Sequence, residues 1–245
     1  MPKAIVLSSG GLDSTTALGL AVKEHGQENV MTVTVMYGQK HCVEGAHAHL
    51  VAEHYGVRNE WLDLSKIFEH SNCALLQQST KEVPEGSYDQ QIEKSESGIV
   101  STYVPGRNAL MLCAVASLAQ SIYGTNEDIE IYLGNHADDA AGNAYPDCSK
   151  EFSKAIAEAI YLGSGKKVVV KTPFVTLNKA EVVAEGLKLG VPYALTYSCY
   201  KGHEKHCGRC GTCLDRARAF RANGIADPAT YEDPDPFADM RGDKQ

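Results

Sequence analysis

The chain has 245 residues, enough for one α/β domain or a large domain with a small appendage. Its 43% hydrophobic content supports a full core, and no apolar run reaches the ~18 residues of a membrane span. The net charge is −8, of which residues 227–245 contribute −4, so the chain lacks the basic footprint of a nucleic-acid binder.

The N-terminal stretch Met1–Leu7 is too short for a signal peptide and meets a Gly-rich turn at once. It reads as the first strand of a cytoplasmic protein, with Ala4-Ile5-Val6-Leu7 buried on both faces. A helix is expected from about Asp13 to Glu24, and a β-branched second strand over Val30–Tyr37. Gly38–His41 reads as a loop and Cys42–Tyr55 as a helix that stops at Gly56. A third strand follows at Glu60–Leu64. Residues 77–100 are polar, with Pro84, Gly86 and Gly98, and predict a long surface excursion. Further on, helices are expected at Arg107–Tyr123 and Ser149–Leu162, and strands at Ile129–Leu133 and Lys167–Lys171. Asn178 with Glu181 forms a capping box that opens a helix ending at Gly190. A short helix around Leu214–Ala222 closes the folded part, and the Pro- and acid-rich tail from Asp227 is expected to be poorly ordered. Strands alternating with helices predict an α/β fold with a doubly wound parallel sheet.

Chemistry concentrates at the strand ends, where such sheets bind ligands. The loop Ser9-Gly10-Gly11-Leu12-Asp13-Ser14 lies between the first strand and the first helix. Two adjacent glycines expose backbone N–H groups, the helix adds its N-terminal partial charge, and Ser9, Ser14 and Thr15 add hydroxyls. The combination suits a phosphate or pyrophosphate. Asp13 would repel that anion unless it caps the helix or meets Mg²⁺, so Mg²⁺ is expected with the nucleotide. No lysine follows the glycines, which excludes a Walker loop, and the third glycine of the dinucleotide fingerprint is missing.

Of the eight cysteines, Cys199, Cys207, Cys210 and Cys213 are clustered. Two overlapping C-x2-C steps closed by Cys199 describe a structural Zn²⁺ site with no open position. His203 and His206 could compete as ligands, and spacing alone leaves an iron–sulfur cluster as the main alternative. Arg107 sits in the first turn of its helix, where a cation is poorly placed against the dipole, so it is expected to meet an anion. Asp138, Asp139 and Asp147, after the fourth strand, could bind metal or read donor edges of a base. Cys148 lacks a clear histidine partner and reads as a lining residue. Tyr37-Gly38-Gln39-Lys40 ends the second strand and faces the same site.

Together these residues resemble the 7-cyano-7-deazaguanine synthase family of the PP-loop ATP pyrophosphatases, which are adenine nucleotide alpha hydrolase-like in fold. The resemblance rests on Ser9–Ser14, Tyr37-Gly38-Gln39, Val104–Asn108, Tyr145-Pro146-Asp147-Cys148 and Ser198-Cys199-Tyr200 with the terminal cysteines, and spans about residues 3–225. It implies a ligase of queuosine biosynthesis that joins 7-carboxy-7-deazaguanine and ammonia at the expense of ATP, with AMP as the expected product. It further implies that Ser8, Ser9, Gly10, Gly11, Leu12, Asp13, Ser14, Thr15, Thr16, Ala17 and Leu18 bind ATP and that Asp13 and Arg107 are catalytic. Arg107, Asp138, Asp139 and Asp147 would contact substrate, the four clustered cysteines would hold Zn²⁺, and the protein would be a homodimer. The stretch Ala140–Ala144 is longer than in the commoner family pattern, which weakens any individual role for Asp138 and Asp139. The expected organisation is a PP-loop domain over 1–195, a zinc knuckle and helix over 196–226 and an acidic flexible tail over 227–245. Rival readings are a tRNA-thiolating relative, disfavoured by the acidic chain, and a nucleotide-binding module without catalysis.

Overall fold

The computed structural model describes residues 3–40 and 43–232. His41, Cys42 and residues 233–245 of the expected tail lie outside the described residues. A five-stranded parallel sheet forms the centre, built from β1 (Lys3–Leu7), β2 (Val30–Met36), β3 (Arg58–Asp63), β4 (Ile129–Tyr132) and β5 (Val168–Lys171). The strand order is β3-β2-β1-β4-β5. The chain winds outward from β1 to β3, then returns to lay β4 along the free side of β1. The order therefore reverses between β1 and β4, and the crevice at their carboxyl ends is where a doubly wound sheet takes its ligand.

Eight helices flank the described sheet: α1 (Leu12–His25), α2 (Val43–Tyr55), α3 (Tyr88–Glu93), α4 (Arg107–Tyr123), α5 (Ala137–Ala140), α6 (Lys150–Gly163), α7 (Lys179–Lys188) and α8 (Gly211–Ala222). Successive strand residues point to opposite faces, and this alternation divides the core. Ala4, Val6 and Tyr132 pack with Leu18 of α1, Val51 of α2, Val182 of α7 and Phe220 of α8. Ile5, Leu7 and Ile131 pack on the other face with Leu112 and Val115 of α4 and Ile160 of α6. The expected α/β architecture is thus found, with boundaries moved by at most three residues. The Asn178–Glu181 capping box is present, with Glu181 N donating to Asn178 Oδ1 at 2.9 Å and Asn178 N donating to Glu181 Oε2 at 2.8 Å. Among the described residues no helix is long and apolar enough to cross a membrane.

Two segments differ from their sequence reading. The excursion 77–100 is more than surface: Ser87 caps α3 through a box with Gln90, and Gly86 N donates to Arg209 O at 2.9 Å. Glu85 pairs with Lys201 and Arg209, so the excursion is fastened onto the cysteine-rich segment. Residues 227–232 also pack against the body. Arg216 is fully buried, and its Nε donates to both Asp227 oxygens at 3.1 and 2.9 Å. Its other nitrogens donate to Thr196 Oγ1, Ser198 Oγ and Tyr193 O. A buried guanidinium is tolerable only when paired and bonded in this way. Replacing Asp227 with alanine should therefore cost about 3–5 kcal/mol of stability, measured by urea unfolding.

Candidate active site

The loop after β1 owes its shape to close packing. Gly10 has φ +74°, and a Cβ there would lie 2.4 Å from Glu44 O and 2.5 Å from Ala48 N of α2. Gly134, just past β4, passes so near the first turn of α1 that a Cβ would sit 2.8 Å from the Asp13 carbonyl. No side chain caps α1, so its first N–H groups remain available to a ligand. Ser9 Oγ and Ser14 Oγ stand 3.1 Å apart beside them, and the buried Ser8 Oγ has no hydrogen-bond partner.

Asp13 has a partner that its local sequence does not reveal. Lys179 Nζ donates to Asp13 Oδ2 at 2.6 Å and lies 3.1 Å from His136 Nε2. Burial opposes ionisation of both groups, but their mutual attraction wins. The Asp13 carboxyl falls below its ordinary range, assisted by His136, and the Lys179 ammonium rises above its own. Both stay charged through neutral pH. Asp13 Oδ1 is buried and has no hydrogen-bond partner. The cation that a Walker loop carries within itself is delivered here from α7, 166 residues away.

The remaining candidates divide into those that face the cavity and those that hold it together. Ser8, Ser9, Gly11, Leu12, Asp13, Ser14, Arg107 and Asp139 line the cavity at the β1–β4 crevice. Thr15 and Thr16 turn inward and bond the carbonyls of Gly11 and Leu12, and Ala17 and Leu18 are core residues. Gly10 shapes the loop from behind. Asp138 accepts the Lys179 backbone N–H at 2.7 Å, and Asp147 accepts the Asn108 N–H at 3.0 Å, so each caps a helix and neither lines the cavity. Lys40 donates to Lys81 O on the surface. Cys148 does line the cavity, but burial and then the neighbouring Asp139 and Asp147 push its thiol well up, which disfavours a nucleophilic thiolate.

Arg107 stands over the Tyr37 ring, 5.3 Å from its centroid. Among the described residues it makes no ion pair, so it presents a cavity-facing cation with its positive charge unmatched by a close carboxylate. Tyr88, Tyr145 and Tyr200 form a wall beside it. Tyr88 Oη donates to Tyr200 Oη at 3.2 Å, Tyr145 and Tyr200 hydroxyls lie 3.4 Å apart, and the Tyr88 and Tyr145 rings meet edge to face at 5.5 Å. Asp215 of α8 also lines the cavity, and burial raises its carboxyl to about 6 against the pull of Lys179 and Arg218.

The four clustered cysteines are fully buried, with ligand atoms within 4.8 Å of one another and the Cys207 and Cys213 sulfurs 4.0 Å apart. Backbone N–H groups of Lys201, Cys207, Arg209 and Cys210 point at the Cys199 and Cys207 sulfurs, as around metal-bound thiolates. Neither histidine joins them: His206 Nε2 accepts the Ser198 N–H at 3.0 Å, and His203 pairs with Glu232. This cluster can hold one metal ion.

The family described as "Queuosine biosynthesis protein QueC" matches residues 3–224. The chain belongs to the QueC family. Similar curated proteins include a 7-cyano-7-deazaguanine synthase of Caldicellulosiruptor saccharolyticus, 41% identical over 94% of this chain and 96% of that protein. Another from Archaeoglobus fulgidus is 40% identical over 92% and 89%. Among solved structures, an NH3-dependent NAD synthetase from Campylobacter jejuni aligns over 98% of this chain and 82% of its own at 14% identity, with a TM-score of 0.46. Membership in QueC makes this chain an enzyme of queuosine biosynthesis acting on small molecules.

Proposed function

We propose that the chain converts 7-carboxy-7-deazaguanine and ammonia to 7-cyano-7-deazaguanine, cleaving two ATP to AMP and pyrophosphate. The observation that carries this reading is a single cavity with two anion grips. One is the Ser8–Ser14 loop with Lys179, suited to a polyphosphate; the other is Arg107, suited to a carboxylate.

A carboxylate is a poor electrophile, and adenylation turns one of its oxygens into a leaving group. That oxygen attacks the α-phosphorus, and pyrophosphate departs. Ammonia then adds to the acyl carbon, and AMP leaves with the carboxylate oxygen. The resulting amide repeats the first step through its own oxygen. Loss of two protons from nitrogen and cleavage of the C–O bond leave the nitrile and a second AMP. No step calls for a protein nucleophile, which agrees with the protonated Cys148. The chain contributes positioning and charge stabilisation: the α1 N-terminus and Lys179 favour the departing pyrophosphate, and Arg107 holds the reacting carboxylate. Mg²⁺ accompanying the nucleotide would neutralise phosphate charge, with Asp13 Oδ1 as the protein oxygen able to meet it.

We assign the buried cysteines to Zn²⁺. A tetrahedron with Zn–S of about 2.3 Å sets its sulfurs roughly 3.8 Å apart, close to the spacing found, whereas an iron–sulfur cluster spreads its thiolates over separate irons. The role is structural, since four thiolates leave no open position.

Incubation with ATP, Mg²⁺, ammonium and 7-carboxy-7-deazaguanine should give AMP, pyrophosphate and the nitrile by mass spectrometry. ATP binding without AMP formation would instead favour a non-catalytic nucleotide module.

A further inference from the structure

We propose that Asp215 recognises the guanine-like edge of the substrate base, accepting hydrogen bonds from its ring N1–H and its 2-amino group. The proposal rests on the substrate assigned above. Asp215 lines the cavity, yet only 17% of its side chain is exposed. Its one described ion-pair partner is Arg218 on the same helix, at 3.8 Å and half-exposed, and no hydrogen bond to its oxygens is described. A carboxylate this enclosed is costly without donors, so a ligand that brings two donors side by side is favoured.

The nearby acids are differently engaged. Asp13 accepts from Lys179. Asp139 faces His136 twice, through the backbone N–H at 3.4 Å and the ring at 3.4 Å. Asp138 and Asp147 cap helices. Tyr88 and Asp215 line the same cavity, so an aromatic ring and the carboxylate share it. A flat base against the tyrosine wall would present its edge to Asp215.

The chemistry also separates the two bases that must share this cavity. The guanine-like edge offers N–H donors at both N1 and the 2-amino group. Adenine presents an acceptor at N1, which a carboxylate repels. Asp215 would therefore admit the deazaguanine and turn away the base of ATP. The cysteine cluster gains a function from this, because Cys210 is the N-cap of α8 and Cys213 lies two residues before Asp215 on that helix.

The test is isothermal titration of Asp215→Asn, an isosteric change that exchanges one acceptor for a donor. Binding of 7-carboxy-7-deazaguanine should weaken roughly 10- to 100-fold, with ATP affinity, bound metal and melting temperature unchanged. The wild type should also reject the analogue lacking the 2-amino group, and the variant should lose that preference. Equal base binding by the two proteins, an equal loss for base and ATP, or a preserved 2-amino preference would each overturn the proposal. A wild type that binds ATP but no base would overturn the assigned function, and the proposal with it.

Discussion

Asp13→Ala and Lys179→Met should each lower AMP formation by at least about 100-fold while the fold persists. The two residues act as a unit. Lys179 offsets Asp13 in the resting site, and its ammonium meets the Asp13 carboxylate in the first turn of the uncapped helix α1. Without Lys179, the Asp13 carboxylate is left unpaired beside the position where pyrophosphate charge develops. Without Asp13, nothing orients the lysine against His136. Because removing one member strands a buried charge, Asp13→Asn serves as the gentler companion: it keeps an acceptor for Lys179 and removes the charge. Circular dichroism melts separate a folding defect from a catalytic one. Full pyrophosphate release by folded Asp13→Ala would remove this loop from the chemistry.

Removing the metal should have the largest effect on stability. Cys210→Ser, or extraction by a strong chelator, should lower the melting temperature by about 10 °C or more and open residues 196–232 to proteolysis. The segment has little apolar core of its own: its separate buried clusters are Tyr197 with the four cysteines, and Leu214 with Ala217. The consequences reach the cavity, since Tyr197, Ser198, Tyr200, Thr212 and Asp215 all line it from this segment. The intact protein should carry about one Zn²⁺ per chain. Iron with visible absorbance would contradict the assignment, as would an unchanged melt in Cys210→Ser.

Local patterns made the sheet legible, because burial on both faces writes itself as apolar runs such as Ala4–Leu7 and alternating helices imply parallel strands. The cavity-lining loop Ser9–Ser14 and the cysteine cluster were legible for the same reason, since each lies within a short stretch of chain. What the sequence hid is made by long-range packing. Lys179 meets Asp13 only because α7, far along the chain, packs against α1. A signal does exist: Lys179, like Arg107, is the first residue of its helix, a poor place for a cation. Asp138 and Asp147 show the converse. Their acidic strand-end setting suggested ligand contacts, but each answers the unmet N–H groups of a neighbouring helix. Tyr88 was hidden in a polar stretch whose role becomes visible only once the excursion folds over the cysteine segment.

The most direct test of the proposed chemistry follows the oxygens. With substrate carrying oxygen-18 at both carboxylate positions, each adenylation should pass one labelled oxygen to AMP. Two AMP are expected per nitrile, each with one oxygen-18 in its phosphate and none in pyrophosphate. Unlabelled AMP, or label appearing in inorganic phosphate alongside ADP, would contradict it.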